Sequence, residues 1–371
     1  MADDSADYPS FLPDSNVTTS TVNDTPGSVF YFYKNEQLTF LCILFAMIVV
    51  GNSLVILAIA LSNNRRSRMN IFMMNLAIAD LSAGLVNVMT DIIWKSTIDW
   101  HAGNVGCKIV RYSQGVVTYA STYALVALSL DRLHAIARPL GFSGSGLRIR
   151  LLVGLAWMFA LLFSIPMLII TEARVINGRM QCWVDFPQPW IWKLYITTIA
   201  VILFFIPAII IAVCYIIIVV IIWSKSALNV GEIPNSSGTR LIKNGGHIYV
   251  AANNRHFKDS ATSSRGLIPK AKMKTIKMTL VIVLVFVICW SPFFVFDLLD
   301  VYGFIEQSQE SVALSTFIQS LAPLNSAANP IIYASFNTKM CVNLFQRKGK
   351  RHQSPTSYNS HMSTNTRTTV N

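Results

Sequence analysis

Seven long runs with almost no Asp, Glu, Lys or Arg constrain this chain more than any other feature. Each run is near or above the roughly 20 residues that an α-helix needs to cross the hydrocarbon core of a membrane. The chain is 53% hydrophobic and only 13% charged, about half the charge of a soluble domain. The predicted fold class is therefore an all-α membrane protein, a bundle of seven transmembrane helices. The runs are 37–64, 70–90 (which contains Asp80), 112–130, 151–171, 194–224, 278–296 and 311–338.

The positions of the basic residues predict how the bundle is oriented. Most of the 30 Lys and Arg residues lie in 65–68, 132–150, 225–277 and 339–371, which share one side of the membrane. Basic residues are enriched in cytoplasmic loops, so we expect the N-terminus outside the cell. Attraction to anionic lipid accounts for most of this charge, and no nucleic-acid partner is needed.

Three parts follow from this topology. Residues 1–36 form a polar extracellular tail, and residues 37–338 form the helix bundle. Residues 339–371 begin with a short amphipathic eighth helix, in which Met340, Leu344 and Phe345 face away from basic residues, and end in a disordered tail. The loop 225–269 is rich in Asn, Ser, Gly and basic residues and is also expected to be disordered.

Cysteines and glycosylation sequons support the same topology. Only Cys107 and Cys182 are expected to face the oxidising side, which predicts a disulfide between them; two free thiols are the alternative. Asn16 and Asn23 each begin an Asn-X-Ser/Thr sequon in the outer tail, although a three-residue match also arises by chance. The other four cysteines are Cys42, Cys214 and Cys289 inside helices and Cys341 in the cytosol.

Polar side chains recur at one depth inside the apolar runs. Polar groups in lipid are costly, and a single one is usually explained by a hydrogen bond between helices. Several at one depth instead predict a shared polar cavity, in which a carboxylate and neutral oxygens hold a sodium ion or waters. The residues are Asn52, Asp80, Ser121, Asn325 with its neighbour Ser326, and Asn329.

Catalysis is not indicated. All six histidines fall in loops or tails, and neither metal-ligand spacing nor a buried Ser/His or Cys/His pair is visible. We therefore expect no enzyme activity, no cofactor and no metal beyond a sodium ion at Asp80. A transporter is a remote alternative, but the chain lacks the related halves that many transporters show.

Each run carries a short motif, and the motifs follow one another in order. They are Asn52; Leu76-Ala77-Ile78-Ala79-Asp80; Asp131-Arg132-Leu133; Trp157; Pro207 with Tyr215; Cys289-Trp290-Ser291-Pro292-Phe293; and Asn329-Pro330-Ile331-Ile332-Tyr333. In this set the chain resembles the rhodopsin-like G-protein-coupled receptors across residues 37–338. The resemblance implies a multi-pass plasma-membrane receptor that signals through heterotrimeric G proteins to calcium or cyclic AMP. Its implied regulators are arrestin and receptor kinases.

Further stretches point to one branch of that family. They are 111–114, 119–123, 163–166, 181–183, 270–277 and 321–330. In these the chain resembles the neuropeptide S receptors and the crustacean cardioactive peptide receptors, which are relatives of the vasopressin and oxytocin receptors. The implied ligand is an extracellular neuropeptide; a vasopressin- or oxytocin-type peptide is the alternative.

One face of the third helix predicts the ligand site. Cys107, Arg111 and Gln114 are spaced i, i+4 and i+7, so they share a helical face that descends from the disulfide. Receptors for amines carry an aspartate where this chain has Gln114, which suits an amide or peptide backbone better than an ammonium group. For Arg111 and the acidic residues of this region, the alternative to ligand binding is a charged side chain near a helix end that only extends to water. Other expected ligand contacts are Asp91, Trp94, Trp183, Phe293, Phe294, Asp297 and Gln319.

The inner half of the bundle predicts a conformational switch. Asp131 and Arg132 end the third helix, and the resemblance implies that the arginine changes partners on activation. Pro292 removes a backbone hydrogen bond beside Trp290, which predicts a hinge, although a proline in a membrane helix is also simply tolerated. An acid that restrains the arginine in related receptors is replaced by lysines in 270–274, which predicts basal activity. Phe286, Tyr215, Asn329, Pro330 and Tyr333 complete the predicted switch.

Overall fold

The computed structural model describes residues 34–97, 99–138, 145–176, 178–184, 186, 188–230, 242–244, 247–249, 270–306 and 308–337. These residues make up the helix bundle and most of the connections between its helices. The predictions for the outer tail, the two sequons, Cys341, the eighth helix and the C-terminal tail lie outside these residues.

In the part of the chain that the structure describes, seven helical spans, α1 to α7, form the predicted bundle. Two of them contain a π-helical turn, in which one extra residue enters the helical repeat. One is interrupted by a four-residue turn at 320–323. The spans are α1 (Lys34–Ala60); α2 (Arg68–Ala83, the π-helical turn Gly84–Val88, and Met89–Thr97); α3 (Gly103–Ala137); α4 (Ser145–Ile170); α5 (Pro189–Ala200, the π-helical turn Val201–Phe205, and Ile206–Val230); α6 (Lys270–Val301); and α7 (Gln309–Gln319 and Leu324–Phe336).

Five spans, α1, α2, α4, α5 and α6, are long and apolar enough to cross a membrane by composition alone. The other two differ for separate reasons. α3 is the longest uninterrupted α-helix among the described residues, with 35 residues, but it carries Ser, Thr, Asp and Arg side chains that are buried against other helices rather than exposed to lipid. α7 is divided into two shorter helices, because Pro323 has no backbone N–H to continue the first one.

The helix ends differ from the bounds that charge predicts. The apolar run predicts α3 over 112–130, but the helix spans Gly103–Ala137; likewise α6, predicted over 278–296, spans Lys270–Val301. Charged residues do not end these helices, because a long basic side chain near a helix end can keep its stem in the lipid while its charged group reaches the water. The helical backbone hydrogen bonds therefore continue past the apolar run. The prediction of one continuous helix over 311–338 is wrong at the turn 320–323.

Within the described residues, two β-hairpins join the helices, and the sequence patterns predict neither. β1 (Thr171–Ile176) pairs antiparallel with β2 (Arg179–Val184), with Ala173 opposite Cys182. Gly178 takes the positive φ of 76° that the tight turn between these strands requires. β3 (Ile242–Asn244) pairs with β4 (His247–Tyr249), and α5 continues to Val230, so the expectation of disorder across 225–269 fails at 225–230 and at these six strand residues.

The close packing of the bundle depends on small residues at helix contacts. A Cβ atom added at Gly84 would lie 2.6 Å from Cγ2 of Ile48, and one added at Gly51 would lie 3.0 Å from Pro330. Glycine at these positions therefore lets α1 approach α2 and α7. Such close approach is how membrane helices gain packing energy when lipid is as apolar as their own side chains.

Candidate functional site

A disulfide fixes the outer end of the bundle. Cys107, near the start of α3, is bonded to Cys182 of β2, with their Cα atoms 5.4 Å apart. The predicted pairing is confirmed, and Cys42, Cys214 and Cys289 are free thiols in helices, as expected. The bond ties the β1–β2 hairpin to the helix face that carries the predicted ligand residues.

Arg111 is the centre of a polar group below this disulfide. Its Nη1 donates to Oε1 of Gln114 at 3.4 Å, and its Nη2 donates to the carbonyl oxygen of Cys182 at 3.3 Å. Its guanidinium lies 4.7 Å from the ring centroid of Trp94, a cation–π contact with α2. The predicted common face of Cys107, Arg111 and Gln114 is therefore confirmed.

Trp94 connects this group to the hairpin. Its Nε1 donates to Oε1 of Gln181 at 3.0 Å, and its ring lies 5.8 Å from that of Trp100. The backbone N–H of Trp100 in turn donates to the carbonyl oxygen of Met180 at 2.8 Å. Sequence reasoning missed Trp100 and the role of Gln181, because nothing in the spacing of loop residues shows which strand a loop will contact.

The other predicted ligand residues are distributed around the outer half. Asp91 interacts electrostatically with Lys95 and Arg111. Trp183 is half-buried on β2. Among the described residues, neither Asp297 of α6 nor Gln319 of α7 hydrogen-bonds to Arg111 or Gln114; Gln319 donates to Ser315 instead.

An aromatic column runs down α6 from the ligand end. Phe293 meets Trp290 edge to face at 5.8 Å, and Phe294 stacks on Trp290 at 5.6 Å. Phe294 also stacks on Phe204, in the π-helical turn of α5, at 5.3 Å, and Phe204 lies 6.1 Å from Phe286. Phe294 is 2% exposed, so it belongs to the core rather than to a surface that a ligand could reach, whereas Phe293 is half-exposed.

Asp80 accepts three hydrogen bonds from neutral donors on α3 and α7. Ser121 Oγ donates to Oδ1 at 2.6 Å, Ser326 Oγ donates to Oδ1 at 2.9 Å, and Asn329 Nδ2 donates to Oδ2 at 2.7 Å. Asn52 of α1 joins the group by donating to the carbonyl oxygen of Ser326 at 3.1 Å. The predicted polar cluster is thus assembled around the fully buried Asp80, except for Asn325, which is buried but makes no hydrogen bond to Asp80 among the described residues.

Comparison with known proteins agrees with this architecture. Residues 51–333 match the family described as 7 transmembrane receptor (rhodopsin family). The chain belongs to the rhodopsin family of seven-transmembrane receptors. Such receptors are multi-pass proteins of the plasma membrane that signal through G proteins, which confirms the predicted location and signalling. They are not enzymes, which confirms the prediction of no enzyme activity.

Individual relatives are similar over most of their length. A neuropeptide S receptor of Mus musculus is 41% identical over 325 residues, 87% of this chain and 82% of the relative. The neuropeptide S receptor of Homo sapiens is 42% identical over 315 residues, 85% and 80% of the two chains. A vasopressin V2 receptor of Bos taurus is 35% identical over 315 residues, 83% and 80% of the two chains.

At the inner end of this receptor, Arg132 pairs with Asp131. Both side chains are buried, and Asp131 is the only acid in contact with Arg132 among the described residues. Tyr215 and Tyr333, two further members of the predicted switch, are buried on α5 and α7. Pro292 and Pro330 lie inside α6 and α7, where each removes one backbone hydrogen bond.

Proposed function

We propose that this receptor is activated by an extracellular neuropeptide and that its N-terminus lies outside the cell. Activation drives heterotrimeric G proteins and, through them, calcium or cyclic AMP. Two neuropeptide S receptors are 41% and 42% identical to the chain, whereas the vasopressin V2 receptor is 35% identical, which favours a neuropeptide S-like ligand over a vasopressin-type one. The basic inner segments support the orientation.

Gln114 and its contact with Arg111 are the observation that carries this proposal. A monoamine needs a carboxylate as its partner, and the side chain at this position is a neutral amide that accepts from a half-buried guanidinium. A glutamine offers both a donor and an acceptor, which is what a peptide backbone or a carboxamide requires. The arginine beside it suits a carbonyl or carboxylate of the same ligand.

The surroundings favour an amphipathic ligand over a lipid. Trp94, Trp183 and Phe293 offer aromatic surface, while Asp91 and Asp297 offer charge of the opposite sign to Arg111. Aromatic anchors with a few charged groups are typical of sites that bind peptides tightly. The β1–β2 hairpin, held by the disulfide and by Trp100, forms a fixed edge beside the site.

A ligand at this level acts on α6 through the aromatic column. Pressure on Phe293 is transmitted to Trp290, which is packed against Phe294 and, through Phe204, against α5. Pro292 weakens α6 at this point, so the inner half of the helix can swing and open a cleft for the G protein. Binding then shifts the equilibrium between the closed and open states of the receptor, and the size of the shift is set by how much more tightly the ligand binds the open state.

The test measures uptake of a GTP analogue by a co-expressed G protein while synthetic neuropeptides are added. Calcium and cyclic AMP recordings in the same cells identify the pathway. We expect a neuropeptide S-like peptide to stimulate uptake, with no response to monoamines at matched concentrations. A response to monoamines but to no peptide would overturn the proposal.

The Asp80 cluster is further proposed to bind sodium in the resting receptor. Sodium takes oxygen ligands, and the cluster offers the carboxylate, two hydroxyls and the Oδ1 atom of Asn329. This amide oxygen is buried without a hydrogen-bond partner among the described residues, which fits a cation nearby. The ion would neutralise a buried carboxylate and hold α2, α3 and α7 together.

Arrestin and receptor kinases complete the proposed partners. The Ser- and Thr-rich segment that would take phosphate, 354–369, lies outside the described residues. Phosphates in such a tail create sites for the basic surface of a partner. Loss of agonist-induced arrestin recruitment after truncation at residue 353 would support this; unchanged recruitment would contradict it.

A further inference from the structure

Between the ligand site and Asp80 lies a cavity of about 60 Å³. It reaches the indole of Trp290 on one side and the hydroxyl groups that bond Asp80 on another. Its polar lining residues come from α2, α3, α6 and α7: Asn87, Thr118, Ser121, Trp290, Asn325 and Ser326.

Three of these residues carry a buried polar atom with no hydrogen-bond partner in the described part of the chain. The atoms are Nε1 of Trp290, Oδ1 of Asn87 and Oδ1 of Asn325, one donor and two acceptors. A buried polar group without a partner is costly, so three of them around one cavity require an explanation. A single water molecule can accept from Nε1 of Trp290 and donate its two hydrogens to the two amide oxygens, which satisfies all three atoms. The cavity exceeds the roughly 10–15 Å³ that one water needs.

The orientation of the Asn87 amide is fixed by its neighbour. The hydroxyl of Thr118 donates its one hydrogen to the carbonyl oxygen of Gln114 at 2.7 Å, so it can only accept from Asn87. Nδ2 of Asn87 therefore faces Thr118, at 2.9 Å, and Oδ1 is left for the cavity. This excludes the flipped amide, in which two acceptors would face each other.

Asn87 owes its position to the π-helical turn of α2. The turn covers Gly84–Val88, and its extra residue changes the direction in which the later side chains of α2 point around the helix axis. Gly84, at its start, allows the close contact with Ile48 of α1. π-helical turns often mark functional positions, and here the turn carries the only amide side chain of α2 that lines the cavity.

We propose that Asn87 is a positioning residue for activation: with Trp290 and Asn325 it holds one ordered water. Its amide thereby connects the ligand-facing helix face at Gln114, through Thr118, to the Trp290 indole. The network occurs together with the paired Asp131 and Arg132, so it belongs to the resting receptor. Loss of Asn87 should free the indole and raise signalling without agonist.

The first test is a double-mutant cycle on agonist-independent GTP-analogue uptake, normalised to receptor at the cell surface. Asn87→Leu keeps the approximate size of the side chain but removes both polar atoms. We expect it to raise basal uptake about three- to tenfold, the change that one lost hydrogen bond produces. Leu85→Ala, an exposed position in the same turn, is the matched control and should behave as wild type.

The cycle pairs Asn87→Leu with Trp290→Phe, which removes the indole N–H. If the two residues act through a shared water, Asn87→Leu adds nothing in the Trp290→Phe background. Independent, multiplying effects would overturn the proposal, and so would wild-type basal uptake in Asn87→Leu. If Asn87→Leu does not reach the surface, Thr118→Val replaces it in the same cycle. This variant removes the hydroxyl that links the Asn87 amide to Gln114, and the same two outcomes would support or overturn the proposal.

The uptake assay rests on the proposed coupling to a G protein, so a second test is independent of signalling. An experimental structure of the ligand-free receptor that resolves ordered water should show one molecule within hydrogen-bond distance of all three atoms. The same structure of Asn87→Leu should lack it. Density bonded to Asp80 alone, with none at Trp290 and Asn87, would overturn the water site while leaving the proposed receptor function intact.

Discussion

The guanidinium of Arg111 lies over the ring of Trp94, 4.7 Å from the ring centroid. A cation on an aromatic face is stabilised by about 0.5–2 kcal/mol, more when water is excluded. With its bonds to Gln114 and to the carbonyl oxygen of Cys182, Arg111 is held by α2, α3 and the β1–β2 hairpin at once. The cationic group is therefore positioned before a ligand arrives, which lowers the entropy lost on binding.

Replacing Trp94 separates the two interactions of this side chain. Trp94→Phe keeps an aromatic face for Arg111 but loses the hydrogen bond to Gln181, whereas Trp94→Leu loses both. We expect peptide potency to fall about two- to fivefold for Trp94→Phe and about tenfold or more for Trp94→Leu. Concentration–response curves at equal surface expression check this order. Equal potency for both variants and wild type would mean that Arg111 is positioned by α3 and β2 alone.

Gln114→Ala should weaken peptide potency on the order of ten- to a hundredfold. The loss of one partner of a buried hydrogen bond costs roughly 1–3 kcal/mol, and Arg111 loses an acceptor in the same step. Radioligand displacement in membranes with quantified receptor distinguishes lost affinity from lost expression. Wild-type affinity in a variant that reaches the surface would place the ligand elsewhere.

Gln114→Asp tests the chemistry of the same position. A carboxylate here is expected to favour cationic ligands, but it would also lie within reach of Arg111 and pair with it. The preference for cations should therefore appear in Gln114→Asp combined with Arg111→Ala, and only weakly in Gln114→Asp alone. If the double variant still prefers neutral amides, the side chain at 114 does not contact the ligand.

Asp80→Asn should abolish the effect of sodium on agonist affinity. In the wild-type receptor, affinity should fall as sodium replaces a larger cation at constant ionic strength, because the ion stabilises the resting state. Ser82→Ala is the control, because its hydroxyl donates to the carbonyl oxygen of Ile78 in its own helix rather than to Asp80, so this variant should remain sensitive to sodium. An unchanged sodium response in Asp80→Asn would remove sodium from this cluster.

Gly84→Ala should destabilise the receptor by roughly 1–3 kcal/mol, as extra atoms forced into a packed contact do. The new Cβ would lie 2.6 Å from Cγ2 of Ile48, so α1 and α2 must separate or the π-helical turn must shift. Thermal unfolding of purified receptor in detergent measures the change. Gly154→Ala is the matched control, because nothing lies within 4 Å of its added Cβ, and it should unfold near the wild-type temperature.

The sequence alone determined the number and order of the membrane spans and the disulfide. The thickness of the hydrocarbon core and the cost of charge within it set where the seven spans fall, and these constraints act on local composition. Cys107 and Cys182 were the two cysteines left on the oxidising side, so their pairing needed no knowledge of packing. The polar cluster around Asp80 was predicted from the similar depth of its members in the membrane, because polar side chains that cannot reach water must bond one another.

Only the tertiary structure decided which side chains face each other across helices. Ser326 bonds Asp80, whereas the adjacent Asn325 turns its Oδ1 toward the cavity below Trp290. Asn87, Thr118, Gln181 and Trp100 could not be selected beforehand. The π-helical turns at Gly84–Val88 and Val201–Phe205 and the break at 320–323 change the rotation of everything after them. These shifts are stabilised by contacts with other helices, so the facing residues follow from packing rather than from the spacing along one helix.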